Sequence, residues 1–221
     1  YHVGDGSDGC VANLITFHGL AAHAGGSPHA GVNALYAASL AMQAVNSLRE
    51  TFKDDEHIRF HPIVTRGGGA VNAIHHDVLM ESYVRGATMD AILTQNLRIN
   101  RALAASAAAF GGNVILSDRP GYSPLNNSKT IMNIAVESIT EAMGEGVITH
   151  GGWSTGCTDM GDISQVMPAL HPYCAGAAGI GHGNDYVISD PYTAVVGSCK
   201  FQLILLDALL SDDAAGAKKA L

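Results

Sequence analysis

What most constrains the fold of this chain is the order of strand-like and helix-like stretches between residues 11 and 116. Residues 11–17 are a nearly continuous apolar run of strand length. In 32–49, Ala34, Ala38, Ala41, Val45 and Leu48 recur at spacings of four and three, which is one face of an α-helix. The acidic turn Asp54-Asp55-Glu56 separates that helix from a second strand over 58–65. Pro62 lacks the amide proton of a central strand and so predicts an edge or a bulge there. Gly67-Gly68-Gly69 breaks this strand, and 78–85 alternate as a third. Residues 89–110 are helical, with Ile92, Ile99, Leu103 and Phe110 on one stripe. Gly111-Gly112 ends the helix, because glycine enters the left-handed conformation at little cost. Residues 113–116 supply a fourth strand.

The order β-α-β-β-α-β is the split ferredoxin-like pattern, which predicts a four-stranded antiparallel sheet with two helices on one face. After Asp118-Arg119-Pro120-Gly121 the texture changes. Residues 129–143 are helical, 154–161 and 176–183 are glycine-rich loops, and 166–170 form a short apolar run ending at His171-Pro172-Tyr173. A closing helix over 197–210 has Phe201, Leu205 and Ala208 on one face, and 211–221 are expected to fray. The strands of this half are too few for a complete sheet, so it is expected to be the end of an α/β domain with a piece missing. The fold class expected for the whole is α+β.

Composition sets outer limits. A chain of 221 residues with 47% hydrophobic and 14% charged residues can bury a sizeable core. A formal net charge of −8 and no basic patch argue against nucleic-acid partners. No uncharged apolar run reaches the ~20 residues of a membrane span, and the first residues lack the basic start and apolar core of a signal peptide. Cys10, Cys157, Cys174 and Cys199 are widely spaced with no C-x-x-C, which predicts reduced thiols in a cytoplasmic protein.

One loop stands out: Phe17-His18-Gly19-Leu20-Ala21-Ala22-His23-Ala24-Gly25-Gly26-Ser27-Pro28. A strand running into small residues lets backbone and imidazole approach a ligand closely. With Pro28, Gly31 and Asn33-Ala34, this stretch resembles the lid signature of M20-family metallopeptidases and amidohydrolases. Gly67-Gly68-Gly69-Ala70-Val71-Asn72-Ala73-Ile74 resembles that family's glycine-rich asparagine loop, and Tyr83-Val84-Arg85 its strand-borne arginine. Cys157-Thr158-Asp159-Met160-Gly161-Asp162-Ile163-Ser164, with Pro168, resembles its Ser-Thr-Asp segment, and His182 falls where its last metal-binding histidine sits. The similarity is greatest to the amidohydrolase branch that holds aminoacylase-1-like protein 2 and aminobenzoyl-glutamate hydrolase subunits.

The resemblance implies a residual catalytic-domain segment over 1–9, a lid or dimerisation domain over 10–117, and the C-terminal part of a zinc-peptidase-type catalytic domain over 118–221. It implies that His23 is catalytic, donating a hydrogen bond to the oxyanion of a tetrahedral intermediate, across a homodimer. Asn72, Arg85, Thr158 and Asp159 would bind substrate, arginine gripping carboxylate with its planar fork. His182 would bind a divalent metal, Zn²⁺ or alternatively Mn²⁺ or Co²⁺. The implied reaction is metal-dependent hydrolysis of an N-acyl amino acid, dipeptide or aminobenzoyl-glutamate-like amide. Read from the residues alone, Arg85 also suits a sheet-edge side chain, Asn72 a turn and Thr158 and Asp159 a helix cap.

Departures from the pattern are Cys157 in place of serine and His75 in place of proline. The family's His-x-Asp motif and Glu-Glu pair lie upstream of its lid, and residues 1–10, which precede the lid here, hold neither. The chain is therefore expected to be inactive alone, and an enzyme only together with an N-terminal catalytic part. Two other readings stand beside this one: a non-catalytic dimerisation or ligand-binding module derived from the family, and an unrelated ferredoxin-like binding protein.

Overall fold

Ten residues of alternating burial, Gly9–His18, form the central strand β1 of an antiparallel sheet. The computed structural model describes Tyr1–Leu221 as two units, and β1 belongs to the one made of Asp8–Pro124 and Thr155–Cys157. Its elements continue as α1 (Ala34–Leu48), β2 (Arg59–Phe60), β3 (Ile63–Arg66), β4 (Asp77–Gly86), α2 (Met89–Ala109) and β5 (Asn113–Pro120). Across the sheet β2 and β3 share one edge, followed by β4, β1 and β5, every pair antiparallel. This is the ferredoxin-like arrangement. The expected second strand is split at His61-Pro62 into β2 and β3, both paired with β4, and a bulge follows between Val64 and Arg66. Proline sits at this edge because it has no donor to give a neighbour.

The helices start where side chains can cap them. Asn33 Oδ1 accepts from the Tyr36 amide at 3.0 Å, and Thr88 Oγ1 from the Ala91 amide at 3.1 Å. Gly111 follows α2 with φ of +75°, as a glycine helix stop requires. Ile15 and Phe17 of β1, Val78, Met80 and Val84 of β4, and Ile92, Ile99 and Leu103 of α2 are fully buried. Ala34, Ala37, Ala38 and Ala41 face them from α1, whose small side chains let it lie close. Phe110 does not join the α2 stripe. It lies past Ala109 with φ −98° and ψ 1°, where helical rotation has stopped, and is 38% exposed. The opposite sheet face has no helix over it, and Tyr83 and Ile63 stand exposed there.

The second unit comprises Tyr1–Ser7, Leu125–Ser154 and Thr158–Leu221. It holds α3 (Lys129–Met143), α4 (Met160–Ser164) and α5 (Ser198–Ala220). Its strands are two residues long. His2–Val3 pairs with Thr149–His150, and Gly6–Ser7 lies between Leu125–Asn126 and Trp153–Ser154. Val3, Met132, Ala135, Ile139 and Phe201 make a small core. Helical turns resume after a non-helical break at Ser211, Asp212, Asp213 and Ala214, where fraying was expected. Tyr192–Ala220 is long and apolar enough to cross a membrane by length and composition, though Lys200 and Asp207 lie within it.

Candidate functional site

The loop after β1 is closed by its own backbone. Leu20 and Val32 exchange both amide hydrogen bonds at 2.9 Å, and the Gly19 amide donates to the His76 carbonyl at 2.7 Å. A Cβ on Gly19 would lie 2.0 Å from the Val32 carbonyl oxygen, so only glycine permits this closure. Within the loop, Ala22–His23 pairs with Ala73–Ile74, and the Ala24 amide donates to the Asn72 carbonyl at 2.9 Å. Two segments about fifty residues apart in sequence thus bring His23 and Asn72 side by side.

The ring of His23 has a defined proton. Its Nδ1 accepts from the Gly25 amide at 3.2 Å and from the Gly26 amide at 2.9 Å. A nitrogen that accepts carries no hydrogen, so the neutral ring bears its proton on Nε2. The side chain is exposed, and it presents a donor fixed in tautomer. Gly25 and Gly26 were not singled out as functional in the sequence. The signal was there, since a His two and three residues ahead of paired glycines can accept their amides as an Asx side chain does.

Arg85 lies on β4, opposite Cys10 of β1 on one side and Arg59 of β2 on the other. Its guanidinium carbon is 5.7 Å from the Tyr83 ring centroid, a cation–π distance. Arg59, His61, Tyr83, Arg85 and Thr155 line an open pocket of about 390 Å³ on the helix-free side of the sheet. Arg59 and Thr155 were not among the sequence candidates, because only strand register brings Arg59 to Arg85 and only the folded chain brings Thr155 to the same pocket. Asp8, fully buried, pairs with Nδ1 of His57 at 3.3 Å, and His57 adopts a left-handed φ of +54° to reach it.

Cys157 occupies the serine position of the expected motif. Its Sγ lies 3.5 Å from the Gly9 carbonyl oxygen. A hydrogen bond with Cys10 holds its pKa far above the ordinary thiol range, helped by burial and by the charge Cys10 would carry. A thiol held so far up yields little thiolate near neutral pH, the form a nucleophile needs.

Thr158, Asp159 and His182 belong to the second unit, whereas His23, Asn72 and Arg85 belong to the first. Thr158 Oγ1 donates to Asp159 Oδ1 at 3.1 Å and accepts from the Met160 amide at 3.3 Å, which organises the start of α4. His182 stands exposed with φ of +64° between Gly181 and Gly183. No group of three or more His, Cys, Asp or Glu side chains that could hold a metal ion comes together anywhere in the chain. A catalytic zinc takes about three protein ligands, so the residues present do not by themselves fit a metal centre.

Comparison with known proteins bears on this arrangement. Residues 6–100 match the family model of the peptidase dimerisation domain, M20_dimer. The Xaa-Arg dipeptidase of Mus musculus is 30% identical over 198 residues, covering 87% of this chain and 44% of the relative. The chain thus spans less than half the length of this curated relative. A hydantoinase/carbamoylase-family amidase from Burkholderia vietnamiensis superposes with a TM-score of 0.72 at 19% identity, over 94% of this chain and 49% of that one. The aminobenzoyl-glutamate utilization protein of Klebsiella pneumoniae gives a TM-score of 0.56 at 21% identity, over 74% of this chain and 43% of that one.

Proposed function

We propose that this chain, whose residues 6–100 match the peptidase dimerisation domain of M20 enzymes, forms part of a metal-dependent peptidase or amidohydrolase of that family. In this reading the Asp8–Pro124 unit is the lid, and the second unit is the C-terminal part of the catalytic domain. The substrates are N-acyl amino acids, dipeptides or aminobenzoyl-glutamate-like amides. The observation that carries the reading is His23, whose Nε2–H is aimed outward by two backbone amides on Nδ1. A preorganised neutral donor suits an oxyanion that develops as an amide carbonyl is attacked. Asn72 would hold the substrate beside it, Arg85 would take a carboxylate, and Thr158 and Asp159 would shape the far end.

His182 would supply one ligand to a divalent metal, Zn²⁺ or alternatively Mn²⁺ or Co²⁺, with the remaining ligands and the general base coming from outside these 221 residues. The chain would work as a homodimer in the cytoplasm, with its four cysteines as thiols. Co-expression with the N-terminal metal-binding part of an M20 enzyme tests this. Chelator-sensitive release of an amino acid from N-acyl substrates is expected, falling about 10²–10³-fold in His23→Ala. A well-folded complex without hydrolysis would overturn the proposal.

A second reading, a non-catalytic dimerisation module, is favoured by the family match and by Tyr36 and Leu40, which stand exposed on α1. In that case light scattering gives a dimer and the reconstituted complex gives no turnover.

A further inference from the structure

The pocket on the helix-free sheet face contains a charge arrangement that the carboxylate role of Arg85 does not use up. Arg59 and Arg85 are direct cross-strand partners in the β2–β4 register. Directly opposed residues have Cβ atoms about 4.5–5.5 Å apart, and like charges so placed repel. Neither arginine has a carboxylate within ion-pair distance. The carboxylates that do form ion pairs meet other groups: Asp77 with Arg66 and His18, Glu56 with Lys53, Asp8 with His57, Asp213 with Lys218. Arg59 Nη1 donates to the Ile58 carbonyl at 3.0 Å, and Arg85 leans over Tyr83. A guanidinium has five N–H donors, so both keep donors for a ligand.

The surroundings point the same way. His61, Tyr83 and Thr155 complete the pocket wall, and each can donate to an anion. Arg119 lies across Ala12 from Tyr83 and lines the adjoining hollow with His61. The one carboxylate on that hollow, Glu81, is a row further along β4, opposite Leu14 and Ile63. Arg59 and Arg85 thus stand side by side without ion-pair partners in a chain of net charge −8, where acidic groups outnumber basic ones.

We infer that the pocket formed by Arg59, Arg85, His61, Tyr83 and Thr155 takes a ligand with two carboxylates, and that Arg59 selects amide substrates ending in an acidic residue. This rests on the reading of Arg85 as the substrate-carboxylate residue and adds a second position beside it. One arginine receives the α-carboxylate and the other the side-chain carboxylate, each through a two-pronged contact. A substrate ending in a basic side chain would meet Arg59 with like charge and be rejected.

The test titrates N-acetyl-L-glutamate, N-acetyl-L-alanine and N-acetyl-L-arginine into the 221-residue chain, following arginine and backbone amide signals by NMR. N-acetyl-L-glutamate is expected to bind about tenfold or more tightly than N-acetyl-L-alanine, with N-acetyl-L-arginine weakest. Arg59→Gln should bring the glutamate-to-alanine ratio to about one, whereas Arg85→Gln should weaken both. If Arg59→Gln disturbs the amide spectrum globally, Arg59→Lys keeps the charge and should still bind glutamate over arginine. Equal binding of the three probes, no binding of any, or displacement of N-acetyl-L-glutamate by an equal concentration of inorganic phosphate would overturn the inference. Loss of both acyl amino acids in Arg85→Gln with no effect of Arg59→Gln would overturn it too, while leaving the carboxylate role of Arg85 intact.

Discussion

At His23, two glycine amides decide which nitrogen keeps the proton, and the rest of the ring's chemistry follows. The sequence marks this histidine through its loop of small residues, but the partners of its Nδ1 are backbone atoms, which carry no side-chain label. Arg59 shows the same limit from another direction: residues 59 and 85 become neighbours through register alone. Cys157 looked like a serine substitute and is instead tied to Cys10. Its raised pKa has a signed consequence. The thiol stays protonated in the folded chain above the pH at which an unfolded thiol ionises, about 8.5. Its contribution to stability is therefore fully present below that pH and declines as pH rises beyond it. Urea unfolding at pH 7 and at pH 10 should show this decline, and Cys157→Ser, which keeps a hydroxyl donor without titrating in that range, should flatten it. At pH 8, iodoacetamide should modify exposed Cys199 well before Cys157, as peptide mass mapping can check.

At the scale of elements, the helices were the most legible part. The periodic alanines of α1 and the Ile92, Ile99 and Leu103 stripe of α2 are those that face the sheet. Helical period reports burial on one side, and both helices are covered on one side only. Their starting caps, Asn33 and Thr88, bond the amides expected of such residues. Removing the Thr88 hydroxyl in Thr88→Ala should cost about 0.5–2 kcal/mol. Truncating fully buried Leu103 to alanine should cost about 2–5 kcal/mol, because it leaves a cavity as well as losing burial. Chemical denaturation of both variants, with an unchanged m-value, checks the comparison. The edge strand was less legible, since Pro62 announces an edge without saying that pairing resumes after it. Phe110 shows that a stripe extrapolated past a helix end has no physical basis.

At the scale of the whole molecule, the chain enters the Asp8–Pro124 unit from Ser7 and leaves it into Leu125. Those flanking residues are themselves paired, Ser7 with Leu125 and Gly6 with Asn126, as antiparallel partners. Inside the unit, the Cys10 amide meets the Tyr122 carbonyl at 2.7 Å. The Asp8–Pro124 segment therefore leaves from and returns to one antiparallel pair of strands, and Thr155–Cys157 is the one other stretch that belongs with it. Replacing Asp8–Pro124 by Asn-Gly, which favours a two-residue hairpin turn, should leave the α3 and α5 core folded, with Phe201 still protected in hydrogen exchange. Amide protection lost throughout α3 would show the second unit to depend on that segment. Conversely, loop-closure entropy penalises such an insertion little when its ends already meet. A segment of this kind can be exchanged for another, or carry a new substrate preference into an old host, without reopening the fold that holds it.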